Sequence, residues 1–171
     1  LDGARIFNAA AALGTSVRDL TEGCDSVMFC FSKGLSAPVG SMLLGTKEFI
    51  QEAWRVRKMF GGGMRQVGVL AAAALVALEQ MPCRLYEDHE NAKRLAEKLA
   101  NIHGFRLTPE DVETNIVIAE VVGCTSTELV RRSRERGLLI SAIGPHEVRF
   151  VTHKDVNRSD IDRAIQILAT A

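Results

Sequence analysis

Apolar positions along this chain come in two textures. They run almost unbroken through Val27-Met28-Phe29-Cys30-Phe31, again through Met42-Leu43-Leu44, and again from Val67 to Leu78; beyond Pro82 they alternate with charged residues at helical or strand spacing. A short continuous run predicts a strand buried on both faces, here over 25–33, and Ser41–Gly45 predicts a second one, bounded by glycines and preceded by an Ala37-Pro38-Val39-Gly40 turn. Ile6 to Leu13 reads as a short helix stopped by Gly14, with a strand end or loop at Asp2. Lys47 to Phe60 carries Phe49, Ile50, Ala53, Trp54 and Met59 at helical spacing before Gly61-Gly62-Gly63 breaks it. The next helix, Met64 to Gln80, is apolar on all sides from Val67 to Leu78. Such a helix belongs inside a large domain or at a subunit interface. A 171-residue monomer has little protein to surround it, so further sequence or a second subunit is expected to cover it.

Met81-Pro82 is the expected domain boundary, since proline cannot continue the helix. After it come an amphipathic helix over 85–102 stopped by Gly104, with Leu85, His89, Ala92, Leu95, Leu99 and Ile102 on one face, and a strand over 115–122. Thr125-Ser126-Thr127-Glu128 has capping-box spacing and opens a helix closing at Gly137. A hairpin comes next (138–143 and 147–152 around Gly144-Pro145), then a last helix over 159–169 with Ile161, Ile165 and Leu168 aligned. Strands and helices alternate first and a smaller unit comes after them. The expected class is α/β: residues 1–81 as the end of a large mixed-sheet domain, residues 82–171 as a small α+β domain.

Charge changes this picture little. Acidic and basic residues balance at 21 each, which gives no electrostatic case for nucleic acid or an anionic membrane as a partner. The longest uncharged helical stretch is too short to span a bilayer. Cys24, Cys30, Cys83 and Cys124 show neither a C-x-x-C pair nor zinc spacing; no metal site is expected. Their mostly apolar neighbours predict reduced, buried thiols and a cytoplasmic protein. The chain opens on Leu-Asp-Gly-Ala-Arg without an initiator methionine, and the expectation is a piece of something longer, any targeting segment lying outside it.

Chemistry enters at Lys33, the only charged residue between Asp25 and Lys47. An ammonium at the end of a buried strand is costly to keep charged, and desolvation favours the neutral amine that forms a Schiff base. The plain alternative is a lysine whose stem covers apolar surface while its head reaches water. Asp2-Gly3-Ala4-Arg5 lies upstream. Alone, Asp-Gly reads as a turn; together with Ser32-Lys33 it supplies the pyridinium partner and the Schiff-base lysine that recur in pyridoxal phosphate enzymes.

Leu1-Asp2-Gly3-Ala4-Arg5, Cys24-Asp25-Ser26-Val27, Ser32-Lys33-Gly34-Leu35 with Ala37-Pro38-Val39-Gly40-Ser41, Gly61-Gly62-Gly63-Met64-Arg65-Gln66, Glu87-Asp88-His89 and Arg149-Phe150-Val151-Thr152-His153 together resemble the low-specificity L-threonine aldolases, a fold type I family of pyridoxal phosphate enzymes. The likeness covers essentially the whole chain, and its glycine-arginine segment is the most family-specific part. It implies Lys33 as the lysine that holds the cofactor, Asp2 as partner of the pyridine nitrogen, Arg5 near the cofactor ring, and Arg149 as the grip on the substrate α-carboxylate. Lys58 and Arg65, flanking the glycines, match positions that reach a neighbouring subunit's active site in a homodimer or homotetramer. Arg149 alternates with Val148 and Phe150 and so projects from the opposite strand face; a solvated strand charge is its alternative reading, and an exposed helix end that of Lys58 and Arg65. His103 precedes a capping glycine, His146 comes after a turn, His89 reads as a core residue, and His153 could touch the site.

The implied reaction is aldol cleavage of threonine or allo-threonine to glycine and an aldehyde, in amino-acid metabolism. The resemblance also places the phosphate-binding loop and a ring-stacking histidine upstream of Asp2, so the 171-residue polypeptide alone is expected to be inactive. Another fold type I enzyme, an aminotransferase or β-eliminating lyase, and an inactive truncated product are the competing readings.

Overall fold

The chain starts beside its first strand. In the computed structural model, which describes residues 1–170, the backbone of Leu1–Ala4 runs parallel to β1 (Ser26–Cys30). Asp2 pairs with Met28; the Met28 N–H donates to the Leu1 carbonyl at 3.1 Å and the Gly3 N–H to the Met28 carbonyl at 2.9 Å. On its other edge β1 takes β2 (Ser41–Gly45) in antiparallel register, Ser26 opposite Gly45 and Cys30 opposite Ser41. β1 thus has one antiparallel strand partner and, on its other edge, a single parallel bridge. The strand is shorter than expected, ending at Cys30. Beyond it the Phe31 N–H turns to the Gly40 carbonyl at 3.0 Å, so Lys33 sits in the next turn and not in the strand.

The segment between residue 4 and β1 folds into α1 (Ile6–Leu13), stopped by Gly14 at φ 63°, and the short α2 (Val17–Leu20), capped by the Ser16 hydroxyl. A left-handed residue ends a helix at least cost when it is glycine. Ile6, Phe29, Phe31, Leu35, Ala37 and Ala77 form this unit's core, with the Phe29 ring edge-on to Phe7 at 5.3 Å and to Phe31 at 4.9 Å. α3 (Lys47–Met59) is capped by Thr46 and buries no residue; α4 (Gly68–Gln80) buries Ala77 alone, and every residue of β2 is exposed. The all-round burial expected of α4 is therefore not supplied by this chain. Val69 is 81% exposed and, ahead of the helix, Phe60 is 87% exposed. α4 also starts later than Met64. Where every position is apolar the pattern carries no phase, and periodicity cannot mark an end.

Pro82–Arg84 forms a 3₁₀ turn leading into α5 (Leu85–Leu99), and the chain divides into two compact units after Leu85. The second unit is an antiparallel sheet in the order β3 (Phe105–Arg106), β4 (Ile116–Val121), β6 (Glu147–Val151), β5 (Ser141–Gly144). α5, α6 (Ser126–Glu135) and α7 (Arg158–Leu168) pack on one face of it. Ala92, Leu95, Ala96 and Leu99 of α5, Leu129 of α6, and Ile161 and Leu168 of α7 close over Val117, Ala119, Val121, Val148 and Phe150. The other face stays open, with Ile118, Glu120, Glu147 and Arg149 exposed. α6 is capped by the Thr125 hydroxyl, which accepts from the Glu128 N–H at 3.3 Å. The hairpin forms with a register shift between Ala142 and Gly144, and β5 begins at Ser141, the residues before it staying irregular.

Two expectations about buried side chains need correcting. Cys24 and Cys83 are exposed, and Cys30 and Cys124 are only half-buried. Cys24 lies in a turn and Cys83 in the 3₁₀ segment, where apolar sequence neighbours do not enforce burial. His89 is likewise half-buried; the fully buried residue of that turn is its neighbour Asp88. The Asp88 carbonyl accepts from the Thr152 hydroxyl at 2.6 Å, while the Thr152 carbonyl accepts from Asn115 Nδ2 at 2.9 Å, tying α5 to the ends of β4 and β6. Among the described residues, no single helix is long and apolar enough to cross a membrane.

Candidate active site

Because Leu1–Ala4 and β1 run in the same direction, their downstream residues emerge at the same sheet end. Open α/β sheets bind ligands at the carboxyl ends of their parallel strands. Asp2 stands at this edge with an exposed side chain, one oxygen of which, Oδ1, accepts the Ala4 N–H at 3.1 Å. The turn it makes fixes the carboxylate before α1 begins. Gly3 is required for the fit: a Cβ there would lie 2.9 Å from the Met28 carbonyl oxygen, closer than a side chain tolerates. Arg5 stands at the N-cap of α1, part-buried, and its carbonyl accepts from Asn8 N–H at 3.0 Å and Ala9 N–H at 3.2 Å.

Lys33 lies in the turn after β1. The Ser36 N–H donates to the Lys33 carbonyl at 2.8 Å and the Ala37 N–H to the Phe31 carbonyl at 2.9 Å, closing the loop around it. Ser36 takes a left-handed φ of 59°, uncommon for a residue other than glycine; backbone strain of this kind clusters at functional sites. The Lys33 side chain is exposed, which corrects the desolvation expected from the sequence: residues of this chain do not bury the amine. Asp2 is bridged to Met28 in the middle of β1, Arg5 opens α1 beyond it, and Lys33 lies in the turn that follows the strand. The chemistry of that set, an exposed carboxylate and an exposed primary amine on neighbouring segments, fits a flat heterocycle that needs its ring nitrogen held protonated and its aldehyde held by a lysine.

The remaining predicted residues lie elsewhere in the chain. Lys58 is in the last turn of α3, where Gly61, at φ 79°, and Gly62 return their N–H groups to the Lys58 and Arg57 carbonyls. A Cβ on Gly63 would meet Lys58 Nζ at 2.7 Å, so the glycines let this side chain fold back across them. Arg65 is exposed in the irregular segment before α4. Arg149 belongs to the second unit. It projects from the open face of the sheet, opposite to buried Val148 and Phe150, and is paired in register with Ile118 on one side and Ser141 on the other. It makes no ion pair with any described residue, which leaves its planar fork available to a carboxylate. His153 is exposed, with Nδ1 accepting from the Asp155 N–H at 3.3 Å.

Sequence reasoning missed Asn8. It is 2% exposed and lies against Gly34, the residue after Lys33. No periodicity marks it: Asn8 is two residues from both Ile6 and Ala10, about half a turn round the helix from either, where an amphipathic pattern leaves a residue to solvent.

The chain is similar to known proteins over most of its length. A low-specificity L-threonine aldolase of Arabidopsis thaliana is 44% identical over 164 residues, which is 94% of this chain and 46% of the relative. The low specificity L-threonine aldolase of Escherichia coli K12 is 45% identical over 161 residues, 94% of this chain and 47% of the relative. The chain thus spans about half the length of the curated relatives it matches. A solved structure from Listeria monocytogenes, provisionally assigned as an L-allo-threonine aldolase, superposes with a TM-score of 0.79 at 22% identity, over 99% of this chain and 50% of that one. That likeness carries the fold, which is fold type I as the sequence implied. Residues 1–121 match the family described as beta-eliminating lyase. By that match, the chain belongs to the beta-eliminating lyase family.

Proposed function

We propose that this chain carries the cofactor lysine, the pyridinium partner and the carboxylate grip of a pyridoxal phosphate-dependent aldolase that cleaves L-threonine or L-allo-threonine to glycine and an aldehyde. The observation that carries the reading is the parallel pairing of Asp2 with Met28. It puts an exposed carboxylate beside the strand that leads into the exposed Lys33, in a chain 44% identical to a threonine aldolase. Bound there, pyridoxal phosphate supplies an electron sink for the pair released when the Cα–Cβ bond of the substrate breaks.

The protein's own residues do the rest. Lys33, exposed in the turn after β1, is the residue that would hold the cofactor's aldehyde carbon. The Asp2 carboxylate keeps the ring nitrogen protonated, its orientation set by the Ala4 N–H. Arg5, at the start of α1, contributes a fixed positive charge near the ring. Arg149 donates two parallel charged hydrogen bonds to the substrate carboxylate, which orients the amino acid. Lys58 and Arg65 serve a neighbouring subunit's site. The exposed apolar faces of α3 and α4 support a homodimer or homotetramer, because large uncovered apolar patches mark interaction surfaces.

The test is to incubate the complete, assembled protein that contains this chain with pyridoxal phosphate, reduce it with borohydride and map the adduct by mass spectrometry, then assay threonine and allo-threonine for aldehyde against keto-acid release. A single adduct on Lys33, absent from Lys33→Ala, with aldehyde and glycine as products, is the expected result. Labelling scattered over many lysines overturns the cofactor reading; keto-acid release overturns the aldolase reading in favour of another reaction of the same fold.

A further inference from the structure

We propose that Asn8 is a positioning residue that sets the Lys33 amine relative to the Asp2 carboxylate, an inference that rests on the proposed cofactor role of Lys33. Asn8 lies in α1, a helix whose other buried residues are Ile6 and Ala10. A buried amide inside a helix is unfavourable twice over: asparagine is a poor helix former, and a buried polar group costs free energy unless it is hydrogen-bonded. Here it is pressed onto the turn that carries the lysine. Gly34 is buried, and a Cβ at that position would lie 2.5 Å from Asn8 Oδ1 and 3.2 Å from Leu85 Cδ2. Glycine at 34 is therefore what lets the Asn8 amide rest on the backbone next to Lys33.

The rest of the turn is held equally closely. Its carbonyls at Phe31 and Lys33 accept from Ala37 and Ser36, and Ser36 is kept at a left-handed φ of 59°. A strained residue persists only where its surroundings over-determine it. Asn8 is also tied to the Asp2 side of the site. Its N–H donates to the Arg5 carbonyl at 3.0 Å, and Asp2 caps the Ala4 N–H immediately before. One short helical start thus has the Asp2 carboxylate at its beginning and the Lys33 turn against its flank. Reactive geometry tolerates little displacement, so a side chain that fixes the separation of two such groups acts on the site without touching cofactor or substrate.

The experiment compares Asn8→Ala, Gly34→Ala and the double variant in the full chain. The readout is the rate of borohydride-trapped pyridoxal phosphate addition at Lys33, relative to Lys47 and Lys93 in the same digest. Those exposed lysines report general unfolding and have no part in the site. Asn8→Ala is expected to slow Lys33 by roughly tenfold to a hundredfold against both references, the scale of loss that a small misplacement causes. Gly34→Ala is expected to do the same. The double variant should recover part of the rate lost in Gly34→Ala, because the added methyl then occupies the space Asn8 vacated. Should Asn8→Ala fail to fold, Asn8→Ser gives the same comparison with a shorter side chain. An unchanged Lys33 ratio in the Asn8 variant, a uniform change at all three lysines, or a double variant no better than Gly34→Ala overturns the positioning role. A Lys33 no more reactive than its references in the unsubstituted chain overturns the cofactor reading itself, and the positioning role with it.

Discussion

At the scale of single residues, the proposed site depends on side chains that the fold leaves accessible, and accessibility separates function from stability. Arg149 is exposed on the open face of its sheet while its strand neighbours Val148 and Phe150 are buried. Truncating it therefore removes little packing, and surface substitutions of this kind change stability by less than about 0.5 kcal/mol. The hydrogen bonds it would give a substrate carboxylate are charge-assisted, each worth about 1.5–3 kcal/mol. Arg149→Ala is thus expected to raise the KM for threonine by roughly tenfold or more, with the melting temperature unchanged, checked by steady-state kinetics beside calorimetry. Much of this was readable in advance. Period-two alternation put Arg149 on the open face, and the short motifs located Asp2 and Lys33. What the sequence could not supply was the environment of Lys33. An apolar run says that a strand seeks cover, but the run ends at Phe31 and the lysine sits in the turn beyond it, exposed. Asn8 escaped for the complementary reason: an asparagine among alanines reads as a polar helix face until Gly34 is seen to leave room for it.

At the scale of elements, helix ends and half-buried groups set local stability. α7 begins with a capping box. Asn157 Oδ1 accepts from the N–H groups of Ser159 at 2.8 Å and Asp160 at 3.2 Å, and Asp160 Oδ2 accepts the Asn157 N–H at 3.0 Å. Asn157→Ala leaves those donors without their acceptor and is expected to cost about 1 kcal/mol, seen as a lower urea midpoint with unchanged slope. On α5, burial pushes the His89 imidazole below its ordinary value of 6.5, opposed by the nearby Asp88 charge. The native state thus holds this proton less tightly than the unfolded chain does. The contribution of His89 is whole above about 6.5, falls away as pH drops through the lower native value, and is gone below it. Urea midpoints measured between about pH 7.5 and about pH 5.5 should decline, and His89→Gln should flatten that decline. The Glu128 carboxyl of α6, held down to about 2 by hydrogen bonds from Arg131 and Arg132, releases its contribution only in the separate window between 4.5 and about 2. The two limbs are therefore distinguishable.

For the whole molecule, the two units differ in how far each satisfies its own apolar surface. The second closes three helices over one sheet face, and Leu99, Val117 and Val148 are fully buried within it. The first buries Phe29, Phe31 and Leu35 around β1 but leaves β2, α3 and most of α4 uncovered, including Trp54, Met59 and Leu75. This contrast explains which part of the fold was readable from the chain. In the second unit each element alternates between an inward and an outward face, so periodicity fixes both type and orientation. In the first the apolar runs demand cover from outside the sequence, and α4, apolar on every side, could be recognised as a helix but given neither a start nor a partner. Burial of apolar surface is the main favourable term in folding. Unequal satisfaction of that term predicts unequal stability. In the isolated 171-residue chain, amide protons of β4 and β6 should exchange more slowly than those of β1 and β2, and denaturant should melt the two sets in separate transitions. In the proposed assembly, with the apolar faces of α3 and α4 covered, the first unit's protection should rise while that of β4 and β6 stays as it was. Hydrogen exchange read by mass spectrometry measures both, and a single cooperative transition for all four strands of the isolated chain would show that the first unit needs no further cover.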